Sequence, residues 1–166
     1  MRLIGLDPGL QRTGWGVIEA VGNRLGFVAS GVVASAASDD LATRLDRLYV
    51  GLAGVIESYK PCEAAVEETV VNKNALSSLK LGHARGVVLL AAARHGLHVS
   101  EYASRSVKRA VTGTGAAEKE QVAVMVRMLL PESGPVTGDA ADALAVALCH
   151  AHIRLTHSRI MAGVRA

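Results

Sequence analysis

The sequence predicts an α/β fold in which one mixed, five-stranded sheet is covered by helices. Two observations lead to this fold class. Three strand patterns near the start of the chain follow one another with short connections, and the later strand patterns alternate with helical ones. Hairpins join antiparallel neighbours, whereas helical crossovers join parallel ones. Both kinds of strand pairing are therefore expected in the same sheet.

The first half of the chain is predicted to form three strands and a helix, at 2–6, 13–21, 24–34 and about 41–59. Gly22-Asn23 divides the second strand from the third and is a typical hairpin turn. In the helix, apolar residues recur at helical spacing after Asp39 and Asp40, either of which is a suitable N-cap. The helix is expected to end at Lys60-Pro61, because the residue before a proline avoids the helical conformation.

The second half alternates strands at 64–68 and 97–103 with helices at 74–96, about 104–111, about 116–130 and about 139–153. Gly96 follows the long helix and is expected to end it, since glycine readily adopts the left-handed conformation found after helices. From Arg154 onward the apolar periodicity is weak. The sequence therefore predicts a folded domain at 1–153 and a loose C-terminal tail at 154–166.

Composition indicates a globular chain with an aliphatic core. Of the 166 residues, 50% are hydrophobic but only 3% are aromatic. No apolar run approaches the ~20 residues of a membrane helix. The N-terminal sequence "MRLIGLDPG" reaches a Pro-Gly turn too early to contain the apolar segment of a signal peptide. Cys62 and Cys149 match no disulfide framework. A cytoplasmic protein with no membrane association is expected.

Positive charge is concentrated in the middle of the chain. Between Val71 and Leu130 there are nine basic residues and three acidic ones, while the whole chain has a net charge of only +3. This asymmetry favours a polyanion such as nucleic acid as the partner. The alternative is that these charges simply solvate the exposed faces of helices.

Four acids stand outside the surface pattern of charges. Asp7 follows the first strand, Glu67 lies near the end of the fourth, and Asp139 and Asp142 open the last helix with a spacing that puts both on one face. Turns and helix starts explain many such acids, but a carboxylate that emerges from an apolar strand is costly unless it is paired. Glu68 is the alternative to Glu67, since neighbours in a strand point to opposite faces.

These acids predict a reaction class. Carboxylates without a nearby histidine or cysteine suit Mg²⁺ or Mn²⁺ better than zinc. Two such ions ~4 Å apart, bridged by a shared acid, can activate a water and stabilise the leaving oxygen of a phosphodiester. Metal-dependent cleavage of nucleic acid thus accounts for both the acids and the basic middle of the chain.

The chain resembles the RuvC family of crossover junction endodeoxyribonucleases, the bacterial Holliday junction resolvases. The resemblance runs from about Arg2 to His152. It is carried, in order, by "GLDPGLQRTGWGV", "AAVEE", "KNALSSLKLGHARG", "GTGAAEKEQV" and "DAADALAVA". It implies an RNase H-like fold with helices on both sides of the sheet. It also implies a homodimer that nicks two opposing strands of a four-way DNA junction symmetrically, and the branch-migration proteins RuvA and RuvB as partners.

The resemblance also assigns roles to individual residues. Asp7, Glu67, Asp139 and Asp142 are the implied catalytic acids, with two Mg²⁺ ions per site, Mn²⁺ as a substitute, and Asp7 as the bridge between the ions. Lys119 is implied to stabilise charge or to help deprotonate the attacking water. The residues expected to contact DNA are Lys73, Lys80, Arg85, Lys108, Lys119 and Val70.

Val70 is a departure from the family pattern. Many relatives have an aromatic residue, usually Phe, three positions after the catalytic Glu, where it reaches the bases at the junction centre. Stacking of a base on an aromatic ring typically contributes ~1–3 kcal/mol. We therefore expect Val70 to provide only a small apolar wedge.

Two alternative functions and one question about packing remain open from the sequence. A non-catalytic junction-binding module could keep the fold, although clustered acids beside DNA do not help binding alone. An actin-like sugar kinase starts with a similar strand, acid and glycine-rich hairpin, but needs a second such domain. Gly82 and Gly86 permit the close approach of another backbone, either within the chain or at a dimer contact.

Overall fold

The computed structural model describes residues 1–68 and 74–163. Its strands are β1 (Arg2–Asp7), β2 (Arg12–Val21), β3 (Arg24–Ala34), β4 (Glu63–Glu67) and β5 (His98–Tyr102). Its helices are α1 (Leu41–Tyr59), α2 (Ala75–Arg94), α3 (Ser104–Thr112), α4 (Lys119–Leu129) and α5 (Asp139–Gly163), with a short 3₁₀ turn at Pro131–Ser133. Every strand and helix predicted from the sequence is present.

The five strands form one sheet in the order β3-β2-β1-β4-β5. β1, β2 and β3 are antiparallel neighbours, whereas β4 pairs in parallel with both β1 and β5. In the β1–β4 register Leu6 lies opposite Val66. The next residues, Asp7 and Glu67, therefore lie side by side at the carboxyl ends of the two central strands.

Helices cover both faces of the sheet, as predicted. α1 and α2 pack on one face around Ile4, Leu6 and Val66, and α3, α4 and α5 pack on the other around Leu3 and Ala65. The alternation between faces follows the two-residue period of a strand. Within the described ranges, none of the helices is both long and apolar enough to cross a bilayer.

α5 lies directly on the central strands because glycines face it. An added Cβ would come within 2.1 Å of the Ala143 carbonyl oxygen at Gly5 and within 2.0 Å of the Asp139 carbonyl oxygen at Gly14. Any side chain at either position would lift the helix. This close packing brings the first turn of α5 over the end of β1.

Most predicted element ends agree with the structure. Asp40 is the N-cap of α1, where its side chain accepts a hydrogen bond from the Thr43 backbone N–H. Lys60 ends the helix with a left-handed φ of 48°. Gly96, with a φ of 72°, follows the end of α2.

The last helix is longer than predicted. The sequence predicts it to end at about 153, whereas α5 continues to Gly163. The Arg154 side chain reaches across to β4, where its Nε lies 3.0 Å from Glu63 Oε1. Local periodicity could not reveal this contact, since the two residues are 91 positions apart.

Candidate active site

Three of the four predicted acids line a narrow cleft of about 150 Å³ at the carboxyl end of the central strands. These are Asp7 from β1, Glu67 from β4 and Asp142 from the first turn of α5. Asp139 lies one helical turn earlier, near enough to raise the pKa of Asp7. Residues that are up to 135 positions apart in sequence are thus brought together by the sheet and one helix.

Asp7 is at the centre of this cluster. Burial, followed by the negative charges of Glu67, Asp142 and Asp139, raises the pKa of Asp7 to about 7, although Lys119 partly opposes the shift. A carboxyl group normally loses its proton far below neutral pH. At Asp7, burial and the neighbouring acids together outweigh the positive charge of Lys119.

Glu67, not Glu68, is the strand acid that enters the cleft. Burial raises the pKa of Glu67, a hydrogen bond from the Ser104 hydroxyl opposes that shift, and the charge of Asp142 adds to it. Glu68 is exposed, and its backbone N–H donates to the Tyr102 carbonyl at 2.9 Å. Of these two neighbours, Glu67 is therefore the one that lies in the cleft with Asp7.

Two cations pair with the helix acids. Lys119 Nζ lies 3.1 Å from Asp142 Oδ2, and this hydrogen bond raises the pKa of Lys119. Arg12 Nε lies 2.7 Å from Asp139 Oδ2. Lys108 lines the wall of the cleft with Ser104.

Sequence reasoning missed both Arg12 and Ser104. Arg12 opens β2 directly after the turn that follows Asp7, and Ser104 opens α3 directly after β5. Their positions at the carboxyl end of the sheet are signals that could have been used. Nothing in the residues themselves distinguishes them from ordinary surface positions.

The donor chemistry of the cluster fits a hard divalent cation, because all four groups are carboxylates and Asp7 is buried among like charges. The side-chain positions are not those of a closed site. Among residues 1–68 and 74–163, no three His, Cys, Asp or Glu side chains are close enough to hold an ion as they stand. Asp139 and Asp142 would first exchange Arg12 and Lys119 for the cation.

The other predicted DNA contacts lie outside this cleft or outside the described residues. Lys80 is exposed on α2. Arg85 forms a close ion pair with Glu101 of β5, so its guanidinium already has a partner. Val70 and Lys73 fall within 69–73, outside the described residues.

Comparison with known proteins identifies the family. The model of the family "Crossover junction endodeoxyribonuclease RuvC" matches residues 3–150. The chain belongs to the RuvC family. Among its relatives, RuvC of Rhodospirillum rubrum is 60% identical over 93% of this chain and 91% of its own length. RuvC of Acidiphilium cryptum is 59% identical over 97% of this chain and 96% of its own length.

Solved structures give the same assignment. The chain is similar to Thermus thermophilus RuvC in complex with Holliday junction substrate, with a TM-score of 0.87, 34% identity and coverage of 95% of this chain and 96% of that one. The yeast mitochondrial Holliday junction resolvase Ydc2, at 12% identity, shares the fold with a TM-score of 0.68, covering 99% of this chain and 86% of its own. The predicted RNase H-like fold, RuvC family and crossover junction endodeoxyribonuclease activity are confirmed.

Proposed function

We propose that this chain resolves four-way DNA junctions by metal-dependent, symmetric nicking of two opposing strands during recombination and repair. The observation that carries the proposal is the convergence of Asp7, Glu67 and Asp142 in one cleft, with Asp139 beside them. The junction complex of the similar Thermus protein supports four-way DNA as the substrate.

The four acids are proposed as the cation ligands. Two bound Mg²⁺ ions, or Mn²⁺ in their place, would supply an activated water and stabilise the leaving oxygen. Asp7 is suited to bridge them because it lies next to Glu67 and close to both helix acids. Water attacks the phosphorus and the bond to the 3′-oxygen breaks, which leaves 5′-phosphate and 3′-hydroxyl ends.

Lys119 and Lys108 are proposed to act on the scissile phosphate. Both line the cleft beside the acids. The hydrogen bond to Asp142 raises the pKa of Lys119, so Lys119 is a cation at neutral pH and is better suited to stabilise charge than to remove a proton. Lys73, Lys80, Arg85 and Val70 are retained as proposed DNA contacts.

A homodimer is proposed because two sites are needed to cut two opposing strands. One face of α2 supports this proposal. Among the described residues, nothing lies within 4 Å of a Cβ added at Gly82 or Gly86, so no described part of the chain packs closely against them. Three large apolar residues of the same helix, Leu76, Leu79 and Leu90, are also exposed. RuvA and RuvB as partners and a cytoplasmic location remain proposals that rest on the family.

The test is to incubate the protein with a synthetic four-way junction, a linear duplex and a single strand, in Mg²⁺, in Mn²⁺ and in EDTA. Paired symmetric nicks should appear in the junction alone and only with metal. Asp7→Asn should abolish them while junction binding persists. Asp46→Asn, which changes an exposed acid on α1, is the matched control and should cut normally.

Two outcomes would contradict the proposal. Binding without nicks in either metal would favour the non-catalytic junction-binding module. Nicks that persist with Asp7→Asn would show that the acid cluster does not take part in cleavage, even if the chain is a nuclease.

A further inference from the structure

We propose that Arg12 has two alternating partners: it holds Asp139 in the metal-free enzyme and contacts a junction phosphate when a cation takes Asp139. This proposal rests on the proposed function, in which Asp139 is a cation ligand. It adds a phosphate-binding residue to the site and a reason why the four acids do not form a closed site without metal.

The geometry supports the first partner. Arg12 Nε donates to Asp139 Oδ2 at 2.7 Å, while the Arg12 side chain remains 59% exposed. No second hydrogen bond from this guanidinium is found among the described residues. A guanidinium carries five N–H donors, so most of its hydrogen-bonding capacity is available to another acceptor.

The position of Arg12 is fixed by the backbone around it. As the first residue of β2, it pairs with Ala34 of β3. The preceding turn is held by the buried Thr13, whose hydroxyl donates to the Gly9 carbonyl at 2.8 Å. Because the backbone is anchored, an exchange of partners requires movement of the Arg12 side chain alone.

Competition with a cation follows from this contact. A carboxylate bonded to a guanidinium must give up that partner, or share it, when it binds a divalent ion. The Arg12–Asp139 pair is exposed, and exposed pairs are weak. Arg12 should therefore lower cation affinity only about two- to fivefold, which raises the cation concentration needed to fill the site by the same factor.

The second partner follows from charge and shape. The planar fork of arginine matches phosphate oxygens, and arginine remains a cation at any physiological pH. Once Asp139 is bound to a cation, the guanidinium is left beside a cleft that receives a phosphodiester. A phosphate contact there gives Arg12 a new anionic partner in place of Asp139. Substrate binding is then linked to cation binding.

The test compares Arg12→Gln with Arg47→Gln. Arg47 is a matched control because it is also an exposed arginine in an ion pair, with its Nη1 2.9 Å from Asp39 Oδ2 at 52% exposure, but it lies on α1 away from the cleft. Mn²⁺ binding is measured by calorimetry without DNA. Arg12→Gln should bind Mn²⁺ about two- to fivefold more tightly than the parent, and Arg47→Gln should not differ from it.

Junction affinity is then measured against salt concentration in Ca²⁺. Loss of one phosphate contact should reduce the slope of log K against log salt by ~0.9. Arg12→Gln should show this reduction, Arg12→Lys should keep most of the slope, and Arg47→Gln should match the parent.

The outcomes separate the two parts of the proposal. Unchanged Mn²⁺ affinity in Arg12→Gln would overturn the competition for Asp139, and an unchanged salt slope would overturn the phosphate contact. Asp139→Asn is measured beside them. If it binds Mn²⁺ as tightly as the parent, Asp139 is not a cation ligand, and the failure lies in the proposed function itself.

Discussion

The two ends of β4 carry glutamates in opposite electrostatic situations. Glu63 and Glu67 begin and end the same five-residue strand and both face α5. Burial alone would raise the pKa of Glu63, but hydrogen bonds from His150 and Arg154 outweigh it and hold the pKa below its usual value. At Glu67 burial prevails and the pKa is raised.

The Glu63 end is a satisfied polar network. His150 is buried, and its pKa is lowered by that burial, so its ring is neutral at neutral pH. Since a carboxylate only accepts, His150 Nε2–H donates to Glu63 at 2.9 Å, and Nδ1 accepts from the Tyr102 hydroxyl at 2.8 Å. Arg154 completes the set with two contacts to the same carboxylate.

The difference separates an acid with partners inside the chain from one that we propose as a cation ligand. Both glutamates lie on the same strand, so secondary structure does not distinguish them. Burial and partners do: Glu63 is less buried and bonds to His150 and Arg154, whereas Glu67 is more buried and shares a cleft with further acids. An acid cluster that its own protein compensates only in part is a candidate site for an external cation.

The largest expected contrast is in cleavage. Glu67→Gln should reduce the nicking rate of a four-way junction by roughly 10³-fold or more, because it removes a proposed cation ligand. Glu63→Gln makes the same chemical change four residues away and should leave the rate within a few-fold of the parent. Single-turnover nicking in Mg²⁺ measures both rates. Equal losses in the two variants would show that Glu63 and Glu67 do not differ in their contribution to cleavage.

A second contrast is in stability without metal. The pKa of Asp7 rises from 3.8 to about 7 on folding, so its ionisation opposes folding increasingly as pH rises between these values. Asp7→Asn removes this penalty and should raise the free energy of unfolding by about 2–4 kcal/mol near pH 8, and by less than half as much near pH 5.

This gain is measured by urea unfolding in EDTA, with Asp46→Asn as the control. If Asp7→Asn lowers the free energy of unfolding near pH 8, ionisation of Asp7 does not oppose folding as its raised pKa indicates.

The third contrast concerns the far end of the strand. His150→Ala leaves Glu63 without one donor and the Tyr102 hydroxyl without its acceptor. We expect it to lower the free energy of unfolding by about 2 kcal/mol. Thermal unfolding measures the loss, and junction nicking at a temperature well below the transition should be nearly unchanged. A large loss of nicking by fully folded protein would show that the network acts on the site.

The smallest expected effect sharpens the role of Ser104. Its hydroxyl donates to Glu67 and opposes the rise in the pKa of that acid. Ser104→Ala should therefore slow nicking by a few-fold, equivalent to about 1 kcal/mol, and shift the acid limb of the pH–rate profile upward. Ser106→Ala, at an exposed position of the same helix, is the control. An unshifted profile would show that Ser104 lines the cleft without affecting the pKa of Glu67.

Much of this architecture is predictable from sequence because its signals are local. Gly22-Asn23, Asp40 and Lys60-Pro61 mark element ends by backbone preference alone, and the structure agrees at each. The four acids could be selected for the same reason, since each stands at the end of a strand or the start of a helix. Their carboxylate chemistry predicts metal-dependent cleavage of nucleic acid, and the family resemblance adds the four-way junction and a role for each acid.

What could not be predicted depends on contacts between distant residues. The extension of α5 beyond 153 involves Arg154 and Glu63, and the partner of Asp139 is an arginine 127 positions away. Arg85 lies in the basic middle of the chain and is expected from the sequence to contact DNA, yet in the fold it pairs with Glu101. A residue's type gives its charge, but only the fold gives its neighbours.

The glycines beneath α5 set how precisely the acids can be placed. At Gly5 and Gly14 the helix backbone touches the strand backbone, and at Gly16 the Leu144 side chain occupies the space that a Cβ would need. Backbone-to-backbone contact involves no rotamers, so changes in side-chain packing elsewhere have little leverage on the spacing between Asp7 and the first turn of the helix. A single methyl group added at Gly5 or Gly14 would therefore displace the first turn of α5 from Asp7. Substitutions elsewhere on the surface should leave this spacing unchanged.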